Sequence, residues 1–109
     1  MKIDKETEEK IREMQGLEQN LQNLLMQKQA FQMELNETTN ASEALTSAKG
    51  DVYKIVGQVM LKSDKKDLSK ELEEKKHLLG LRVKSIEKQE TEFRASLERL
   101  RNFIIEKAK

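Results

Sequence analysis

The chain has 109 residues, of which 36% are apolar and 38% charged, with no cysteine and no proline. A compact globular domain usually has an apolar fraction nearer one half, so a large private core is not expected, and disulfides are excluded. The net charge of +1 argues against an electrostatic nucleic-acid binder, and no apolar run reaches the about 18 residues that span a bilayer.

A first long helix is predicted over about residues 3–47. From Met14 onward, apolar residues alternate in steps of three and four, which is the heptad pattern of a coiled-coil seam. Lys28 is the one charged residue in that seam, and Ala48-Lys49-Gly50 supplies a turn signal after it. The predicted seam positions are Met14, Leu17, Leu21, Leu24, Lys28, Phe31, Leu35, Thr38, Ser42 and Leu45.

A second long helix is predicted over about residues 64–108, with Ser63 or Asp64 as its cap. Its seam again has one charged position, Glu90, which is expected near Lys28 if the two helices are antiparallel. Such polar breaks either set register and flexibility or are simply solvated by snorkelling, and the sequence leaves both open. The seam comprises Leu68, Leu72, Leu79, Val83, Ile86, Glu90, Phe93, Leu97, Leu100 and Ile104.

Between the helices, residues 51–63 predict one β-hairpin with a two-residue loop, Gly57-Gln58, of type II′. The period of two places Val52, Lys54, Val56, Val59 and Leu61 on one face and Tyr53, Ile55, Met60 and Lys62 on the other. Both faces are mostly apolar.

A hairpin leaves and returns at the same end, so it should fold the helices back as a long antiparallel two-helix coiled coil. The fold class is therefore mostly α with a central β-hairpin. An isolated two-stranded hairpin is marginal in water, and its edges present unpaired backbone groups. The hairpin is accordingly predicted to be an assembly element, through Val52, Tyr53, Ile55, Val56, Gly57, Val59, Met60 and Leu61. The alternative is a local ornament packed on its own helices.

The hairpin and its flanks resemble the β-type subunit of prefoldin. The similarity lies in VYKIVGQVMLK (52–62), in the charge-rich helix start SDKKDLSKELEEKKHLL (63–79) and in QKQAFQMELNET (27–38). The resemblance implies one prefoldin-like domain over 1–109, a hexamer of two α-type and four β-type subunits in which this chain is of the β type, and hairpins that join into an intersubunit β-barrel. It also implies capture of unfolded polypeptides without ATP, transfer to a group II chaperonin, and a cytoplasmic location.

The ends of the two helices are the candidate client-binding tip. Three consecutive large apolar residues there cannot all face one seam, because neighbouring helix positions are about 100° apart. With Ile104 on the seam, Phe103 and Ile105 are expected to lean outward; the competing interpretation is ordinary core that continues into a frayed end. The candidate residues are Ile3, Ile11, Phe103, Ile104 and Ile105.

No catalytic motif is present, and the single histidine, His77, has no cysteine or H-E-x-x-H pattern around it, so it is interpreted as a solvated helix residue. No enzyme activity, cofactor or metal is expected, and no nucleic-acid or membrane partner. The expected partners are an α-type subunit, other copies of the chain, unfolded clients and a chaperonin. The rival hypothesis is a structural coiled-coil scaffold or adaptor with one defined partner.

Overall fold

The computed structural model describes residues 3–109. Its elements in chain order are α1 (Lys5–Ser47), β1 (Val52–Val56), β2 (Val59–Ser63) and α2 (Lys65–Ala108). The predicted fold class, two long antiparallel helices joined by a central β-hairpin, is confirmed. Helix α1 begins two residues later than predicted because Asp4 caps it: the Thr7 backbone N–H donates to Asp4 Oδ1 at 2.8 Å.

Asp64 caps α2, which decides between the two predicted cap residues. Its Oδ1 accepts from the backbone N–H groups of Lys66 at 2.9 Å and Asp67 at 3.2 Å. These are two of the four N–H groups that the first turn of a helix leaves without an internal partner. Ser63 is instead the last residue of β2.

The hairpin has the predicted register and turn. Val56 pairs with Val59 and Val52 pairs with Ser63 in an antiparallel ladder. Gly57 has a φ of 61°, while no residue other than glycine has a positive φ among those described. This combination, positive φ only at the first central residue, is the one a type II′ turn requires, and only glycine adopts it without strain.

The chain divides into two compact units. The terminal unit contains the residues up to Gln29 together with Lys84–Lys109, and the hairpin unit contains Ala30–Val83. The prediction that 1–109 forms one prefoldin-like domain stays a prediction. In each unit the two helical segments pack antiparallel: contacts join Lys10 to Phe103 and Lys28 to Glu90 in the terminal unit, and Glu34 to Lys75 and Ala48 to Lys65 in the hairpin unit.

The core is a seam rather than a globular interior. Every predicted seam position is buried or half-buried, and the most buried apolar residues are 6–8% exposed. A narrow 3,4-spaced stripe on each helix can bury no more than this, since the rest of each helix faces water. The buried apolar residues are Leu21, Leu24, Leu45, Leu79, Val83, Ile86, Leu97 and Leu100.

Candidate functional site

The hairpin leaves large apolar side chains uncovered on both faces. On one face Ile55 is 70% exposed and Met60 is 65% exposed, and on the other Val59 is 55% exposed. Half-exposed Tyr53, Val56 and Leu61 complete the surface. The sheet has two strands within residues 3–109, so each strand has one edge with no partner strand there. Surface of this kind calls for cover by another chain.

One hairpin face is turned toward the chain's own helix α2. Lys54, on the face of Val52 and Val59, makes an ion pair with Glu71 of α2. Val52 and Lys54 are accordingly half-buried, whereas Tyr53 and Ile55 on the opposite face are exposed. The hairpin therefore packs on its own helices, as the alternative interpretation expects, only at the base of one face. Sequence reasoning missed this ion pair, although a single lysine in an otherwise apolar strand was a signal for it.

A second polar tie fixes the base of the hairpin. Lys65, the first residue of α2, donates through Nζ to the Ala48 carbonyl at 2.9 Å. Helix α1 has no basic residue in its own last turn, so Lys65 supplies the positive charge that a helix C-terminus favours. Gly50 follows with a φ of 91°, a conformation that glycine allows in the return from the helix to β1.

The terminal unit brings three of the five predicted tip residues together. Ile3, Ile11 and Ile104 line one cavity of about 140 Å³ with Thr7 and Ala108, and Asp4 and Lys107 stand at it as the charged members. Ile3 lies before the first residue of α1 and is 49% exposed, while Ile11 and Ile104 are half-buried. The walls of this cavity are therefore chiefly aliphatic.

Phe103 lies apart from that cavity. It lines a second cavity of about 270 Å³ with Lys10, Glu13, Ser96, Arg99 and Leu100. The Nζ atoms of Lys10 and Lys107 lie 5.9 and 5.7 Å from the centre of its ring, within range of a cation–π contact. Phe103 is half-buried beside these cations, so it is less exposed than a side chain turned fully outward. Ile105 does lean outward and is 49% exposed.

Asp4 carries the fixed negative charge of the aliphatic cavity. Hydrogen bonding from Thr7, through its hydroxyl and its backbone N–H, lowers the pKa of Asp4, and the charge of Lys107 lowers it further. Thr7 itself is 6% exposed, so the cap also closes the seam at this end of α1. The aliphatic cavity thus has an ionised acid and a lysine at its rim.

The two charged seam residues meet across the helices, as expected for an antiparallel pair. Lys28 Nζ lies 3.0 Å from Glu90 Oε1, and the other carboxylate oxygen accepts from Arg94 Nε at 3.0 Å. Hydrogen bonds from Lys28, then Arg94, lower the pKa of Glu90. The Lys28 side chain is 29% exposed, and its ammonium group is paired with Glu90.

Comparison with known proteins places the chain in a family. The family model described as "Prefoldin subunit" matches residues 8–109. The chain belongs to the prefoldin family, as a beta-type subunit. It is 38% identical over 101 residues to the prefoldin subunit beta of Saccharolobus islandicus, a match that covers 91% of this chain and 80% of that one.

Two further prefoldin relatives agree with this. The prefoldin subunit beta of Sulfurisphaera tokodaii is 35% identical over 107 residues, covering 96% of this chain and 86% of the relative. The crystal structure of the prefoldin beta subunit from Thermococcus strain KS-1 superposes with a TM-score of 0.88 at 30% identity, covering 94% of this chain and 92% of that one. The resemblance drawn from the hairpin is confirmed.

Membership of the prefoldin family fixes the coarse function. The chain is a non-enzymatic subunit with a chaperone role, and as a beta subunit it implies an alpha-subunit partner in the prefoldin complex. His77 is exposed on α2. Among the described residues, no group of acidic, histidine or cysteine side chains has a metal-binding arrangement, and no helix there is long and apolar enough to cross a membrane.

Proposed function

We propose that this chain is a subunit of an ATP-independent, cytoplasmic holdase that captures unfolded polypeptides and hands them to a group II chaperonin. The terminal unit is the capture site, through Ile3, Ile11, Phe103, Ile104 and Ile105. The hairpin is the assembly site, through which the chain joins alpha-type subunits and other copies of itself in a hexameric β-barrel body.

The capture site is supported by exposed apolar surface in a unit that is rich in charged residues. Ile3 and Ile105 are each 49% exposed, and Ile11 and Ile104 form an aliphatic cavity beside Ile3. Unfolded chains expose aliphatic side chains that need cover, and a cavity of about 140 Å³ has the size that takes one such group. The charged rim gives backbone amides of a client polar partners.

Capture at one tip is expected to be weak, because one cavity covers little of a client. A body that holds several tips makes the second and later contacts intramolecular, and the effective concentration then raises the overall affinity by about 100-fold or more. This dependence on several tips links the capture site to the assembly site. Release follows when a chaperonin competes for the same client.

The experiment uses the chain assembled with its alpha-type partner and measures suppression of aggregation of a chemically unfolded client. The variant Ile3→Ser/Ile105→Ser removes two half-exposed side chains that contribute little to the seam. Its matched control is Leu78→Ser/Leu81→Ser in the hairpin unit, where the two leucines are 60% and 50% exposed. We expect protection to fall strongly in the first variant and to persist in the control.

Equal protection by the two variants would contradict the capture site. In a further variant that lacks residues 1–11 and 101–109, protection should be abolished while the complex keeps its number of subunits. The scaffold alternative predicts a different native mass. A scaffold would purify as a homodimeric rod, whereas the chaperone requires a hetero-hexamer.

A further inference from the structure

The seam of the terminal unit has one charged layer in an otherwise apolar stripe. Lys28 of α1 and Glu90 of α2 are 29% and 17% exposed at the side chain and lie 3.0 Å apart. Arg94, one turn after Glu90 on the same helix, holds the second carboxylate oxygen at 3.0 Å. Both oxygens of Glu90 are therefore engaged, one across the helices and one along α2.

Stability does not explain why charges occupy this layer. The nearby seam residues Leu24 and Ile86 are 7% and 6% exposed, so apolar side chains pack well here. Replacing a partly buried ion pair by apolar residues of similar size is often neutral or stabilising. Removing one partner alone is costly, because the other charge stays behind without a counter-ion.

The two charges discriminate between different alignments of α1 and α2 in the terminal unit. The seams repeat leucine and isoleucine every three or four residues, so a shift by one heptad would replace most apolar contacts by similar ones. Such a shift moves one helix by about 10 Å along the other, which is farther than a lysine side chain can follow. Lys28 and Glu90 would then each face an apolar stretch without a partner.

We propose that Lys28 and Glu90 lock the register of the terminal unit, with Arg94 as the residue that positions the Glu90 carboxylate. The lock selects the one alignment in which Ile11 and Ile104 line the same cavity. It acts where it is needed, because the two helical segments of the terminal unit are joined covalently only through residues 30–83.

Disulfide trapping tests the lock, since the chain has no cysteine of its own. The full-length chain with its alpha-type partner carries either Ile11→Cys/Ile104→Cys, the native alignment, or Ile11→Cys/Leu97→Cys, an alignment shifted by one heptad. With Lys28 and Glu90 in place, the native pair should oxidise about 10-fold faster than the shifted pair, because a disulfide requires close Cα atoms. Intramolecular products are separated from cross-linked chains by their mobility after denaturation.

The decisive variant is Lys28→Leu/Glu90→Leu. We expect it to keep or raise the melting temperature while the preference for the native alignment falls to about 2-fold, because an apolar layer accepts several registers. The reversed variant Lys28→Glu/Glu90→Lys/Arg94→Glu should regain the preference. A Leu/Leu variant that keeps the 10-fold preference overturns the lock, and so does one that melts lower than the parent, since the charges would then serve stability.

Discussion

The seam and the hairpin use the same kinds of aliphatic residue with opposite outcomes. Leu79 in the seam is 6% exposed, whereas Ile55 in the hairpin is 70% exposed. A 3,4-spaced stripe on one helix is covered by the matching stripe on the other, so one chain satisfies it. A strand whose two faces are both apolar needs a layer on each side, and two helices joined to its ends cannot supply them.

The hairpin offers the largest expected effect. Ile55→Lys/Met60→Glu places two charges on its most exposed apolar face, and we expect loss of the complex with the alpha subunit but no loss of helix content. The charges would need to be buried or left facing a partner's apolar surface, which is unfavourable. Native mass and circular dichroism measure the two quantities. The control Gln58→Lys puts a charge in the turn and should leave the mass unchanged.

Two neighbouring leucines of α2 sharpen the comparison within one helix. Leu79→Ala removes a buried seam side chain and should lower the free energy of unfolding by about 2–4 kcal/mol. Leu78→Ala removes a side chain that is 60% exposed and should change it by less than about 0.5 kcal/mol. Urea unfolding of the two variants provides the measurement; equal effects would mean that another chain covers Leu78.

Substitution of Lys65 tests the junction between the helices and the hairpin. Lys65→Met removes the donor to the Ala48 carbonyl and should lower the free energy of unfolding by about 0.5 kcal/mol, the scale of a cation at a helix C-terminus. Amide exchange in residues 45–48 should accelerate locally. Lys66→Met, which changes the next residue without this contact, serves as the control.

The ion pair of the seam gives a small, pH-dependent effect. The pKa of Glu90 is lowered in the folded chain, so the folded state binds the proton less well than the unfolded state does. Folding therefore favours ionised over protonated Glu90; this contribution is fully present above the ordinary glutamate pKa of about 4.3 and is lost as the pH falls below it. Glu90→Gln should be less stable than the parent at pH 7, and the difference should shrink on acidification toward pH 3 in thermal unfolding. A constant difference would show that Glu90 acts through packing.

The periodicity of the chain was enough to predict the helices, the seam and the hairpin register. Steps of three and four leave only one face to bury, and a period of two leaves only two faces to choose between. The neighbouring positions of Lys28 and Glu90 followed from the antiparallel arrangement as well. The Asp4 cap was available in the sequence, as an aspartate before the first helical turn, and was missed.

Sequence alone therefore determined which elements form and which helix residues make up the seam, because both follow from local geometry and solvent. Only the tertiary structure decided which long side chains span the gaps: Lys54 to Glu71, Lys65 to the end of α1, and the two cations over Phe103. Several rotatable bonds let such side chains reach several partners, so contacts between residues distant in sequence depend on how the helices and strands pack. The separation of Phe103 from the aliphatic cavity of Ile3, Ile11 and Ile104 has the same origin.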